Sequence, residues 1–365
     1  MKTVSSLIFF FFSLNLFSSQ VGSIFDIADN GRVQKSKTNE KITLREIESI
    51  KTFKTSNGDE VELSLDFTAI DYESGLISTY SQREKTFYQF NLSDFGNGSE
   101  IINVVNKNVG DGPDDIRLPM GMVFNTMKKL YYIADLSGRN ILVYNQDLIE
   151  VDRIKLLFSP FKITTLKNRL FVSRYHGVES ESGHMGIEIN LDTKEISELF
   201  EYKKNTNEYL EQFLQTVIKV TPIDDTFFYV VRDYPRFNVY KCDKEKVVNT
   251  FTSSKLANVR LPKPEQMYIN GNKHVKSIVA FKDTYYSKGR DLLFYLTTDG
   301  SSSLVKELDL SSYILIFDGS GQLLAEWRHE DYTNNERTAI IYDEVNNYLY
   351  FFAGDEIKKF ELVFN

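Results

Sequence analysis

The sequence predicts an all-β fold: a six-bladed β-propeller of four-stranded blades, its ring closed by an N-terminal strand joining the last blade. Three observations predict it. Phe and Tyr are abundant, 28 and 21 residues, and both favour strands. A unit of apolar strands separated by polar turns recurs with starts near residues 67, 119, 160, 216, 276 and 337. The last unit stops after its third strand, while "IESIKTFKTSNGDEVEL" precedes the first and could supply the missing one. Closing the ring this way removes sheet edges that would otherwise need protection.

The opening residues come first in chain order. Lys2 precedes an apolar run from Leu7 to Phe17, too short for a membrane span, and Val21-Gly22-Ser23 is an acceptable cleavage site. Residues 1–23 are therefore expected to be a signal peptide and 24–365 a single exported domain, periplasmic or extracellular. Lys41 to Ile50 also fits a helix, and Asn207 to Gln215 fits a short helix between blades. The innermost strands read "FTAID", "MGMVF", "FKITT", "VIKVT", "SIVAF" and "TAIIY". Between third and fourth strands lie Asn145-Gln-Asp-Leu, Asn190-Leu-Asp-Thr-Lys, Cys242-Asp-Lys-Glu-Lys and Asp318-Gly-Ser-Gly-Gln, residue types that tolerate tight turns.

The segment Gly110 to Val151 resembles a blade of the NHL-type and, more closely, the six-bladed TolB-like propellers of exported bacterial proteins. The resemblance rests on Gly110-Asp-Gly-Pro113, on Pro119, and on the strand end Tyr131 to Asp135. After Asp135 this chain has Gly138, Arg139 and Asn140, where the NHL pattern places Asn at the third position and Arg at the fifth. The resemblance implies a six-bladed ring and export. It implies no reaction.

A net charge of −8 argues against sequence-independent binding of nucleic acid, which needs a basic surface. With Cys242 as the only cysteine, no intrachain disulfide can form, and the thiol reads as half-buried and structural. No Gly-x-Ser-x-Gly elbow or His-Glu-x-x-His pair occurs. No cofactor, metal ligand or catalytic residue is assigned. The acidic turn of Asp111, Asp114 and Asp115 reads as a plain turn rather than a calcium loop.

Registering the units places Arg83, Arg139, Arg174, His176, Arg232, Tyr234 and Arg236 on one loop face, where second-to-third-strand turns meet the connections between blades. Arginines with aromatic neighbours suit a protein, peptide or glycan-like ligand. Asp135 and Gly138 are read instead as a structural turn, Asp135 accepting backbone N–H groups and Gly138 permitting a sharp backbone. A binding module is therefore the leading expectation. Two alternatives stay open: a metal-dependent propeller hydrolase or lyase using His176 and nearby acids, and a structural subunit docking through blade edges.

Overall fold

Strands with two apolar faces can be stable only between two other sheets, and that condition organises this chain. The computed structural model describes residues 42–63, 65–71, 73–92, 99–108, 110, 112, 115–174, 184–201, 216–220, 226–233, 236–243, 246–251, 265–269, 272–276, 281–287, 289–298, 312–329, 339–344, 346–353 and 356–365. The first described element is β1 (Ile42–Ile50), followed by a hairpin of β2 (Thr52–Lys54) and β3 (Glu60–Glu62). The first blade is β4 (Phe67–Asp71), β5 (Leu76–Ser81), β6 (Thr86–Asn91) and β7 (Asn103–Asn106). The second is β8 (Pro119–Asn125), β9 (Leu130–Asp135), β10 (Asn140–Tyr144) and β11 (Glu150–Lys155). The third is β12 (Pro160–Leu166), β13 (Arg169–Arg174), β14 (His184–Asn190) and β15 (Ile196–Glu201).

Next come β16 (Thr216–Val220), β17 (Thr226–Asp233), β18 (Arg236–Asp243) and β19 (Lys246–Phe251), which pair as another four-stranded sheet whose side chains lie outside the described residues. A second hairpin, β20 (Glu265–Ile269) with β21 (Asn272–Lys276), leads to the blade of β22 (Phe281–Ser287), β23 (Leu292–Thr298), β24 (Ser312–Asp318) and β25 (Leu323–His329). The closing blade is β26 (Ala339–Asp343), β27 (Tyr348–Ala353) and β28 (Glu356–Phe364), with β1 added outside β28. Five blades are thus described to their side chains. All pairings within the four-stranded sheets are antiparallel, and the architecture is an all-β propeller with almost no helix among the described residues.

The middle strands show why the blades stack. β9 and β10 are almost wholly buried. Successive strand residues face opposite ways. Accordingly Tyr131 and Ile133 of β9 pack with Phe67, Tyr80 and Phe87 of the first blade. Tyr132 and Ala134 of the same strand pack with Ile163, Leu170 and Val172 of the third. The outer strand β11, "EVDRIK", is largely solvated and correspondingly polar. A further cluster joins the β22–β25 blade to the closing blade through Phe294, Ile316, Tyr342 and Phe360. Another joins the closing blade to the first through Tyr350, Phe352, Ile70 and Ile77, with Phe53 of the β2–β3 hairpin wedged beside Phe90.

Three expectations are corrected. Lys41 to Ile50 does not make a helix: residues 42–50 are the closing strand, with Ile42 opposite Phe364 and Ile50 opposite Ile357. The register shifts between Glu46 and Glu48, and such a bulge breaks the two-residue alternation that would have marked a strand. The segment Ile47 to Leu63 therefore supplies only the end of that strand, and most of it forms the separate hairpin. The described innermost strand of the β22–β25 blade is "FKDTYYS", which shares only Phe281 with the expected "SIVAF" and places polar side chains beside the central cavity; the other four residues of that stretch lie outside the described residues. The helix expected over 207–215 lies outside the described residues.

The hairpin turns obey their sequence. Asn145 Oδ1 accepts from Ile149 N at 2.9 Å, and Asn190 Oδ1 accepts from Asp192 N at 2.9 Å. Asp318 Oδ1 does the same for Ser320 N and Gln322 N, with Gly321 left-handed at φ 88°. These side-chain caps are the reason Asn and Asp open such turns.

Two outcomes follow for stability. Phe360→Ala, which removes a fully buried ring between Trp327 and the apolar residues of the neighbouring blade, should cost about 3–5 kcal/mol in urea denaturation. Burial, reinforced by the charge of Asp66, pushes the Tyr80 hydroxyl from 10.0 up to about 12. Burial likewise pushes Tyr132 up to about 12. A folded-state pKa above the unfolded one means that the unfolded chain loses its protons first. Stability should hold below pH 10 and decline between pH 10 and about 12, as read by denaturation midpoints across that range.

Candidate functional site

The loop face of the second blade is built on a single carboxylate. Asp135 ends β9 and is 1% exposed, so each of its oxygens needs a partner. Oδ1 accepts from Leu118 N at 2.8 Å and from Gly138 N at 3.2 Å, and Oδ2 accepts from Arg117 N at 3.3 Å. The side chain thereby ties the turn between β9 and β10 to the connection entering the blade. Arg139 N closes that turn onto Leu136 O at 3.3 Å.

The sequence suggested that Gly138 supplies the sharp backbone, but the left-handed residue is Arg139, at φ 51°. Gly138 is needed for space: a Cβ there would lie 2.4 Å from Asp135 Oδ2 and 2.9 Å from Asn140 Nδ2. A side chain held in the left-handed region costs about 1 kcal/mol relative to Gly. Arg139 is exposed and makes no ion pair among the described residues.

Beside this turn lies a cleft of about 530 Å³, lined by Arg117, Asp135, Arg139, Arg153 and Lys155 among others. It sits toward the outer strand rather than at the ring axis, since Arg153 and Lys155 belong to β11. Arg153 is neutralised by Glu150 through two bonds of 2.8 Å, and its Nη2 also donates to Asp115 O at 3.3 Å. Those bonds to Glu150 raise its pKa further, so it remains a cation. Arg117 Nη1 reaches Ser137 O at 3.4 Å. Among the described residues, Arg117, Arg139, Arg153 and Lys155 outnumber Asp135 and Glu150, so the cleft keeps a surplus of positive charge there, on a chain whose net charge is −8.

The other expected site residues separate. Arg83 is exposed in the β5–β6 turn on the same face. Arg174 is corrected from a binding residue to an internal one: it is 7% exposed, with Nη2 at 3.0 Å from Glu198 Oε1 and its guanidinium 4.3 Å from the Phe158 ring centroid. Burial lowers its pKa, and Glu198 acts in the opposite direction. Arg174 fastens the connection between second and third blades. Arg232 and Arg236 occupy strand positions opposite Phe237 and Asp233, next to the β17–β18 turn, and their side chains lie outside the described residues. His176 and Tyr234 lie wholly outside them, as do Asp111 and Asp114. Asp115 Oδ2 accepts from Gly112 N at 2.8 Å.

Sequence reasoning missed Arg117 and Lys155. They flank Pro119 and Leu156, and the signal was available: residues just before an innermost strand and at the end of an outermost one share the loop face.

A second cavity, about 270 Å³, lies on the ring axis between β4, β8, β12, β22 and β26. Three of its polar side chains, Asn125, Thr165 and Asp283, serve the fold. Asn125 Nδ2 donates to Thr165 Oγ1 at 2.5 Å and to Lys167 O at 2.6 Å, and Asp283 Oδ2 accepts from Ile340 N at 3.0 Å. Among the described residues no three His, Cys, Asp or Glu side chains group as metal ligands, and no helix is long and apolar enough to cross a membrane.

No family model matches the sequence, and neither does any curated protein. Solved structures do resemble it. A member of the DUF4221 family from Bacteroides vulgatus superposes with a TM-score of 0.59 at 8% identity, over 89% of this chain and 99% of that one. A Bacteroides fragilis protein assigned to the exported class superposes with a TM-score of 0.51 at 12% identity, over 91% and 98% of the two chains. The likeness is one of fold, the propeller.

Asp135→Ala leaves three backbone N–H groups without their acceptor and should cost about 2–4 kcal/mol, with Asp135→Asn in between. Gly138→Ala should cost about 1–3 kcal/mol through crowding against Asp135. Urea denaturation of the three variants checks both.

Proposed function

We propose that the protein is an exported binding module, a six-bladed propeller in which β16–β19 form the fourth blade, and that it takes its ligand on the loop face. On this reading residues 1–23 are removed as a signal peptide and residues 24–365 form one domain, related in design to the TolB-like and NHL-like propellers. The observation that carries it is the cleft beside Arg139, where cations outnumber acids among the described residues and Arg139 and Lys155 have no ion-pair partner among them, on an otherwise acidic chain. Fixed surplus charge in a concave site raises the local concentration of oppositely charged partners. Asn125, Thr165 and Asp283 of the axial cavity are, by contrast, engaged in holding strands together. The assignment of one structural neighbour to the exported class supports the placement outside the cytoplasm.

The test places a photo-crosslinking residue, p-benzoylphenylalanine, at exposed turn positions on each end of the ring. Ser137 and Arg83 report on the loop face; Asp147 and Lys194, in the third-to-fourth-strand turns, report on the opposite one. Illumination with the exported fraction of the source cells should give a covalent adduct from Ser137 or Arg83 and none from Asp147 or Lys194. Adducts confined to the latter pair would overturn the loop-face reading.

A further inference from the structure

We propose that the cleft of the second blade binds a carboxylate of an acidic peptide segment, with Leu157 receiving an apolar side chain next to that carboxylate. This rests on the loop-face reading and names the ligand class for it.

The charge argument comes first. Of the cations lining the cleft, Arg153 is held by Glu150, while Arg139 and Lys155 have no ion-pair partner among the described residues and both are exposed. Arg139 also holds a left-handed backbone that Gly would adopt without strain. The turn thus carries a guanidinium at its tip at a conformational cost, and a planar guanidinium matches a carboxylate in two parallel hydrogen bonds.

The second argument comes from the connection that leaves the cleft. Leu156 lines the cleft and is buried, and two residues on, Phe158 lies under the Arg174 guanidinium at 4.3 Å. Between these two anchored neighbours Leu157 is 98% exposed. A single exposed leucine is ordinary. This one lies between two anchored residues and directly follows, in the chain, a residue that lines the cationic cleft. A uronate-bearing glycan offers carboxylates without a large apolar group, and inorganic phosphate offers charge alone. An acidic peptide carries both carboxylate and apolar side chains, and a cleft of about 530 Å³ can take one or two of them.

The test is fluorescence anisotropy on the purified protein with a fluorescein-labelled decapeptide alternating glutamate and leucine. The controls are a peptide with glutamine in place of glutamate and a galacturonate oligomer as competitor. Arg139→Gly and Lys155→Ala should each weaken binding of the acidic peptide about tenfold, and Leu157→Ser about threefold. Arg139→Gly should also leave the melting temperature equal or higher, so its loss of affinity cannot come from unfolding. Equal binding of the glutamine peptide, or unchanged affinity in both Arg139→Gly and Lys155→Ala, would overturn the carboxylate site. Displacement by the galacturonate oligomer together with no effect of Leu157→Ser would overturn the peptide class. Crosslinking from Ser137 that persists in Arg139→Gly, without peptide binding, would refute this inference and leave the loop-face reading standing. Absence of any loop-face adduct counts against that reading instead.

Discussion

The whole structure depends on strands that are apolar on both faces. A strand such as "LYYIAD" has no solvated side, and it is stable only when flanked by a sheet on each. Tyr131 turns to one neighbour and Tyr132 to the other, so every described blade supplies half of two interfaces and completes neither alone. Closure of the ring is then a necessity, since any open end would leave such a face in water. The β1–β28 pairing meets this demand, and the Tyr350–Phe352 cluster carries the contact round to the first blade.

Once the strands are committed to packing, polar work falls to their ends. The acids there act as fasteners in a repeated way. Asp135 gathers three N–H groups on the loop face, while on the opposite face Asp71 holds Glu73 N and Ser74 Oγ and Asp343 holds Asn346 N. Neutralising turn donors with strand-end carboxylates leaves the turn side chains themselves available to solvent. Arg139 is available because Asp135 is occupied elsewhere.

Much of this was legible in the residues, and the exceptions have physical causes. The blades around Tyr131 and Phe171 are plain because each has an apolar run in its second strand, Leu130–Ala134 and Leu170–Val172, and a hairpin turn that begins with Asn. The closing strand was obscure because a bulge near Ile47 breaks its alternation and mimics a helical spacing. The inner strand holding Asp283 was passed over because it faces a cavity and carries polar groups that a buried strand would not. At the site, the fastening of Asp135 could be read from its position at a strand end. That Arg174 turns inward could not, since it depends on Phe158 in a connection of no regular pattern. Arg117 and Lys155 join Arg139 only through the fold.

The pairing of Ile42 with Phe364 has a consequence for how the molecule is made. The two partners are separated by all of the described blades, so β1 cannot be sealed until each of those blades has been made. Until β28 has been made, β1 has no place to dock. Every blade before it must form beside an unfinished neighbour, with paired aromatic faces waiting for cover. Contacts of such long sequence separation form slowly and leave sticky intermediates exposed. A chain of this design therefore needs protection from aggregation for as long as its own translation lasts.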